Sequence, residues 1–451
     1  MRRLPLLIAV LALTDGAVGA QQPSLPTPPR GHPILPAPES PRIAELRERL
    51  RRGDSTALAT FWARAASERT PIIETIPGDS ARVLATFVYR DTTPLSNVVI
   101  SGGVAGWVDA LTVMEHVAAT DLWYKSVPVR KDIRIWYQFR KNDSLFPWFV
   151  DPDFAKRWAA GFADPLNPKV EVLPAGPRSV FEGPTATPQP WVAVRPGVAH
   201  GKLIAATLTS SHLHEQRDLW VYTPPGYDSA AARRAGGLPE LVLFDGGAYT
   251  GRLVPTPTIL DNMLADRRIA PIIVVFIANG SQRMQELAAN PDFADFVADE
   301  VMPWVRQRYA VTSSPGKTAI GGSSHGALMA TFVALRYPGL FGQVISQSAS
   351  HWWGPEGEDG EWLSRTVATM RKLPVRFYME VGVYETDRSA NQGPGQVWPN
   401  RHFRDVLRAK GYDVDYREFA GAHEYLNWRG TISEALMHFF PSAASRSANS
   451  H

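Results

Sequence analysis

Gly322-Ser323-Ser324-His325-Gly326 places a serine at the centre of a G-x-S-x-G spacing. A serine hydroxyl is a weak nucleophile until a base takes its proton. The spacing suits that task if the chain bends sharply at Ser324, because side chains at the glycine positions would clash in such a bend. The stretch KTAIGG, from Lys317, reads as a short strand before it, and HGALMATFVALRY, from His325, reads as a helix after it. Ser324 would then stand exposed where a strand turns into a helix, beside a helix N-terminus that favours developing negative charge. Ser323 does not fit the pattern, since His325 and not glycine stands two residues after it.

A serine of this kind needs a histidine base oriented by a carboxylate. His423, in FAGAHEYLNWRG, follows the strand-like run VDYREF and is the expected base. His325 directly follows Ser324 and is expected to point away from it, and His402 lies in a helix candidate. The acid is expected after VRFYMEVG, where VGVYETD offers Glu385 and Asp387, with Glu385 preferred. A tetrahedral intermediate also needs two backbone N–H donors. His325 would supply one. The loop FDGGAYTG after the run LVLF would supply the other, through Gly246 or Gly247.

The elements that must position these residues are legible from about Gly197 onward. Short apolar runs begin at Leu219, Leu241, Ile272, Lys317, Val344, Val375 and Val414, and helix-like segments such as DFADFVADEVMPWVRQRY lie between several of them. Buried strands alternating with helices predict a parallel α/β sheet, and Ser, acid, His is the chain order of an α/β-hydrolase. Upstream, Ile133, Ile135, Tyr137 and Phe139 alternate with Arg134, Trp136, Gln138 and Arg140, the pattern of a half-buried antiparallel strand. VLATFVYR, from Val83, reads likewise, and the region is expected to form a β-sandwich. Before it, Arg42 to Glu68 reads as two short helices broken at Gly53-Asp54.

The 451 residues suggest two domains with an appendage. The expected division is a signal peptide over 1–20, a proline-rich linker over 21–41, a helical segment with a β-sandwich over 42–196, an esterase domain over 197–442 and a disordered tail over 443–451. The start MRRLPLLIAVLALTDGAVGA has a basic beginning, a short apolar run and small residues at Val18 and Ala20, which predicts export to the periplasm or beyond. The net charge is +3 with no long basic run, which argues against nucleic-acid binding. No cysteine is present, so thiol catalysis, disulfides and cysteine-bound metals are excluded. The mechanism requires no metal or organic cofactor. No membrane association is expected after signal cleavage, and the oligomeric state is left open.

Longer blocks carry a resemblance. LFDGGAYTGRLVPTPTILDNM, RMQELAANPDFADFVADEVMPWV, GGSSHGALMATFVALRYPGLFGQVISQSASHWW and GAHEYLNWRGTI resemble the enterochelin esterase family of α/β-hydrolases. TDLWYKSVPVRKDIRIWYQF and DPLNP are similar to that family's immunoglobulin-like N-terminal domain. The resemblance implies cleavage of ester bonds in cyclic trilactone siderophores, with Ser324 as nucleophile, His423 as base, Glu385 as acid and Gly247 and His325 at the oxyanion hole. It further implies that Trp352, Trp353 and Arg429 line the substrate pocket and that Arg283 and Glu286 pair structurally. The sequence departs from the family at His325, at Ala327 and in the inserted SANQGPGQVWP after the acid. Rival expectations are a feruloyl or acetyl esterase of plant polysaccharide, an acyltransferase, and a non-catalytic binding protein.

Overall fold

The computed structural model describes residues 38–105, 109–146, 151–386 and 395–444. The signal sequence, nearly all of the linker, the end of the tail and Asp387 lie outside the described residues. Two helices, Pro41–Arg51 and Ala57–Glu68, come first. Eight strands follow: β1 (Ile72–Ile76), β2 (Asp79–Arg90), β3 (Val98–Gly102), β4 (Glu115–His116), β5 (Leu122–Arg130), β6 (Arg134–Lys141), β7 (Val170–Leu173) and β8 (Gly176–Glu182). They form two antiparallel sheets ordered β1-β2-β5-β4 and β3-β6-β8-β7. Phe87 and Val129 of the first sheet share an apolar core with Ile135, Tyr137, Phe139 and Phe181 of the second.

β6 departs from the half-buried expectation. Its inner face packs as the alternation predicts, but Arg134, Trp136, Gln138 and Arg140 on the other face are buried as well. Trp136 packs against Leu426 of the following unit, and Arg134 is matched by Glu182. A charged residue is tolerated at such a depth only when paired.

The second unit is one mixed sheet of β9 (Lys202–Thr209), β10 (Gln216–Thr223), β11 (Glu240–Leu243), β12 (Ile273–Ile277), β13 (Thr318–Ser323), β14 (Gln343–Gln347), β15 (Arg376–Gly382) and β16 (Asp413–Phe419). The order is β16-β15-β14-β13-β11-β12-β10-β9, parallel from β16 to β12 and antiparallel beyond. Alternate side chains of its central strands feed two cores. Val242, Val275, Ile320 and Val344 pack on one face, and Leu241, Val274, Ala319 and Ile345 on the other. This two-sided burial explains why these strands read as unbroken apolar runs.

The helix expected over DFADFVADEVMPWVRQRY is continuous but changes pitch. Pro291–Asp295 and Met302–Arg308 are α-helical, and Phe296–Val301 between them is a π-helical turn. Pro303 has no N–H to donate one turn back, and the wider turn just before it absorbs the missing bond. Among the described residues no helix is long and apolar enough to cross a membrane.

Candidate functional site

β13 is fully buried and ends at Ser323. The next residue, Ser324, has φ 58° and ψ −123°, and the helix His325–Arg336 begins immediately after it. A non-glycine residue at positive φ costs on the order of 1–3 kcal/mol and persists only where its surroundings enforce it. Here they do. The Ser324 N–H donates to Gln347 O at 3.0 Å, and the Ser350 N–H donates to Ser324 O at 3.1 Å. A Cβ on Gly322 would lie 2.9 Å from Gly326 C, and one on Gly326 would lie 3.0 Å from Asp245 Oδ2. Close approach therefore requires glycine at 322 and favours it at 326.

The acid and histidine loops meet at the same sheet edge. His423 Nδ1 lies 2.7 Å from Glu385 Oε2. Glu385 is fully buried. Its other oxygen accepts from Ser348 Oγ at 2.6 Å and from the Gly382 N–H at 2.7 Å. Ser348 Oγ in turn accepts from Trp428 Nε1 at 3.1 Å. The Trp428 ring meets the His423 imidazole edge-on at 4.8 Å, so carboxylate and indole together fix the imidazole plane. After the undescribed stretch the chain returns to this point, where the Gln396 N–H donates to Glu385 O at 2.9 Å.

Among the described residues the hydroxyl of Ser324 has one side-chain partner, Ser350 Oγ at 3.3 Å. Ser350 Oγ lies 3.0 Å from His325 Nδ1. The His325 ring therefore does not point away from the serine, as the sequence suggests. It folds back beside it, with Trp352 edge-on at 5.6 Å. Burial, then the Arg283 charge, push the His325 imidazole down to about 4, so it is neutral near pH 7.

The loop after β11 turns at Asp245, which has φ 56°. Its buried carboxylate accepts from Arg283 Nε and Nη2 at 2.5 and 2.7 Å and from Asn279 Nδ2 at 2.5 Å. Gly246 is wedged against the Ile277 backbone, while the α-carbon of Gly247 faces open space. Arg283 therefore does not pair with Glu286. Glu286 instead pairs with the buried Arg217 of β10 at 2.8 Å, while Arg283 reaches Asp245 in the loop after β11.

The residues expected to line a pocket part company. Trp352 touches His325, whereas the half-buried Trp353 packs edge-on against Trp362 on the outside of the sheet core. Arg429 is ion-paired with Glu171 of β7 and donates to Gln189 Oε1 at 3.0 Å. Sequence reasoning passed over Ser348, Ser350, Trp428 and Asp245. One signal was available: Ser348 and Ser350 directly follow β14 at the edge that carries Ser324.

A family model described as "Putative esterase" matches residues 210–439, and one described as "Enterochelin esterase, N-terminal" matches residues 84–192. An iron(III) enterobactin esterase of Dickeya dadantii is 27% identical over 441 residues, covering 86% of this chain and 94% of that protein. An iron(III) salmochelin esterase of Escherichia coli is 26% identical over 427 residues, covering 87% and 96%. The crystal structure of a ferric enterobactin esterase from Salmonella typhimurium matches with a TM-score of 0.67 at 25% identity, covering 83% of this chain and 98% of that one. With both family models placed along the two units that the fold displays, the chain belongs to the enterochelin esterase family and is a carboxylic ester hydrolase.

Proposed function

We propose that this protein is an exported serine esterase that cleaves the trilactone ester bonds of enterobactin-type catecholate siderophores and so releases their iron. The observation that carries the reading is the 2.7 Å pair of His423 and Glu385 at the sheet edge where Ser324 is held at φ 58°. Relatives named as enterobactin and salmochelin esterases match it over both units, which supports the substrate class. The N-terminal family match at 84–192 favours siderophore esters over polysaccharide feruloyl or acetyl esters. The start of the sequence supports export to the periplasm or beyond, and the two antiparallel sheets support an immunoglobulin-like class for the first unit.

In this reading Ser324 Oγ attacks the ester carbonyl and His423 Nε2 takes its proton. Glu385 can only accept at Nδ1, which keeps that nitrogen protonated and Nε2 free to act as base. The oxyanion is met by the backbone N–H groups of His325 and of Gly247, which is better placed than the wedged Gly246. His423 returns the proton to the departing alcohol. Water, deprotonated by the same imidazole, then releases the acyl group from Ser324. Trp352 forms a wall beside the nucleophile, while Trp353 and Arg429 act at a distance from it, through the core and through the ion pair with Glu171. A fluorophosphonate probe tests this chemistry. It is expected to label the wild type and not Ser324→Ala, and an unlabelled, folded wild type would contradict the assignment.

A further inference from the structure

We propose that the two-sheet unit is a working part of the catalytic site: the end of β5 and the start of β6, where the chain crosses from one sheet to the other, clamp the acid and histidine loops through Tyr384 and Glu424, which act as positioning residues for Glu385 and His423. The inference rests on the proposed serine-esterase reading and says what that reading requires of the first unit.

The histidine loop is embedded in the first unit. The Arg134 N–H donates to Ala420 O at 2.9 Å. Ala422 is fully buried in the same apolar core as Ile135, Phe139 and Val104. The fit there leaves no room, since a Cβ on Gly103 would come within 2.5 Å of the Ala422 Cβ. Glu424 is buried, and its Oε2 accepts from the Trp136 N–H at 2.8 Å, across 288 residues of sequence. Its Oε1 has no hydrogen-bond partner among the described residues. Burial pushes the Glu424 carboxyl well above its ordinary value.

The acid loop is held in the same way. The Arg130 N–H donates to Tyr384 Oη at 3.0 Å, and the Tyr384 ring packs on the core of the two sheets. The two loops are also tied to each other, because the Tyr384 N–H donates to Gly421 O at 3.1 Å. A Cβ on Gly382 would lie 2.3 Å from that same oxygen.

The chain bends at His423 and Glu424, with Ala422 and Glu424 held against the first unit and His423 between them against Glu385. It turns at Val383 and Tyr384, with Tyr384 held against the first unit and Glu385 next to it against His423. The end of β5 and the start of β6 thus set the mutual position of base and acid. A shift of about 1 Å in such a pair is enough to cost roughly a hundredfold in rate.

The test uses the full mature chain and p-nitrophenyl butyrate. Glu424→Ala, folded by circular dichroism, is expected to lower kcat by about tenfold or more with KM within about twofold. Glu424→Gln, isosteric with the native side chain, keeps an oxygen for the Trp136 N–H and is expected to restore most of the loss. Tyr384→Phe removes one acceptor without emptying the core, so it remains usable if Glu424→Ala does not fold, and it is expected to slow fluorophosphonate labelling severalfold. In the wild type a downfield proton resonance from the His423–Glu385 bond is expected, and in Glu424→Ala it should weaken or broaden. Folded Glu424→Ala and Tyr384→Phe with wild-type kcat, labelling rate and proton resonance would overturn the clamp. An unlabelled wild type would instead overturn the serine-esterase reading, so the two failures are distinguishable.

Discussion

Ser348 Oγ donates to Glu385 Oε1 at 2.6 Å, and two residues later Ser350 Oγ stands 3.3 Å from Ser324 Oγ. One tripeptide after β14 therefore touches both the acid and the serine. Its middle residue is fixed as well, by Asn400 Nδ2 donating to Ala349 O at 2.7 Å. Removing Ser348 strips Glu385 of one of its donors and leaves Trp428 Nε1 without its acceptor. Ser348→Ala is expected to destabilise the fold by about 1–3 kcal/mol, the cost of a buried polar group left unsatisfied. Thermal unfolding measures it, and a drop in kcat that exceeds the drop in folded fraction shows that the acid has moved.

Glu385→Gln keeps the shape of the side chain but allows an amide N–H to face His423 Nδ1, which favours the wrong tautomer. The expected loss in kcat is roughly 10³- to 10⁴-fold with the fold intact. The corresponding change at Asp387, the other acid that the sequence offers, is expected to leave kcat within about threefold. The opposite pattern would transfer the role to Asp387.

His325 gives the protein an acid-sensitive element. Its folded value, about 4, lies below the ordinary 6.5 of a free imidazole. Below pH 6.5 the unfolded chain takes up a proton that the folded site refuses, so the stabilisation is complete above pH 6.5 and is lost as pH falls toward 4. The shift corresponds to about 3 kcal/mol. His351, fully buried against the Phe403 ring at 4.0 Å and pushed down to about 3, adds to the same slope. His325→Gln is expected to flatten denaturant-measured stability between pH 6.5 and 4, and an unchanged slope would contradict the burial argument.

Gly103 tests the packing around the histidine loop without touching it. Its missing Cβ would sit 2.5 Å from the Ala422 Cβ and 3.1 Å from Ile135 Cγ2. Gly103→Ala is expected to cost about 1–3 kcal/mol through overpacking. If the loop yields to make room, kcat falls too; calorimetry and turnover on one preparation read both.

Much of the sheet was legible because β11 to β15 are buried on both faces, which leaves continuous apolar runs in the sequence. The bend at Ser324 was legible for a different reason: close approach requires glycine at 322 and favours it at 326, and that restriction is printed in the residue types. β9 was not legible. It is an edge strand exposed along most of its length, so it carries no apolar alternation. The outer face of β6 misled because its cover comes from several separate segments, Glu182 for Arg134, Trp158 for Gln138 and Leu426 for Trp136, and no local pattern records that. Ser348 and Ser350 are small polar residues without periodicity, and their importance appears only when β14 and β15 stand side by side. Arg283 and Glu286 are three apart on a short helix, a spacing that suggests pairing, but stronger buried partners in Asp245 and Arg217 take each of them.

The most direct test of the central claim is mass spectrometry of products. The purified mature protein, with Ser324→Ala as control, is incubated with iron-loaded enterobactin, iron-free enterobactin and feruloylated arabino-oligosaccharide. Linear dihydroxybenzoylserine products from the wild type alone are predicted. Release of ferulate without any cleavage of enterobactin would contradict the siderophore assignment while leaving the serine chemistry in place.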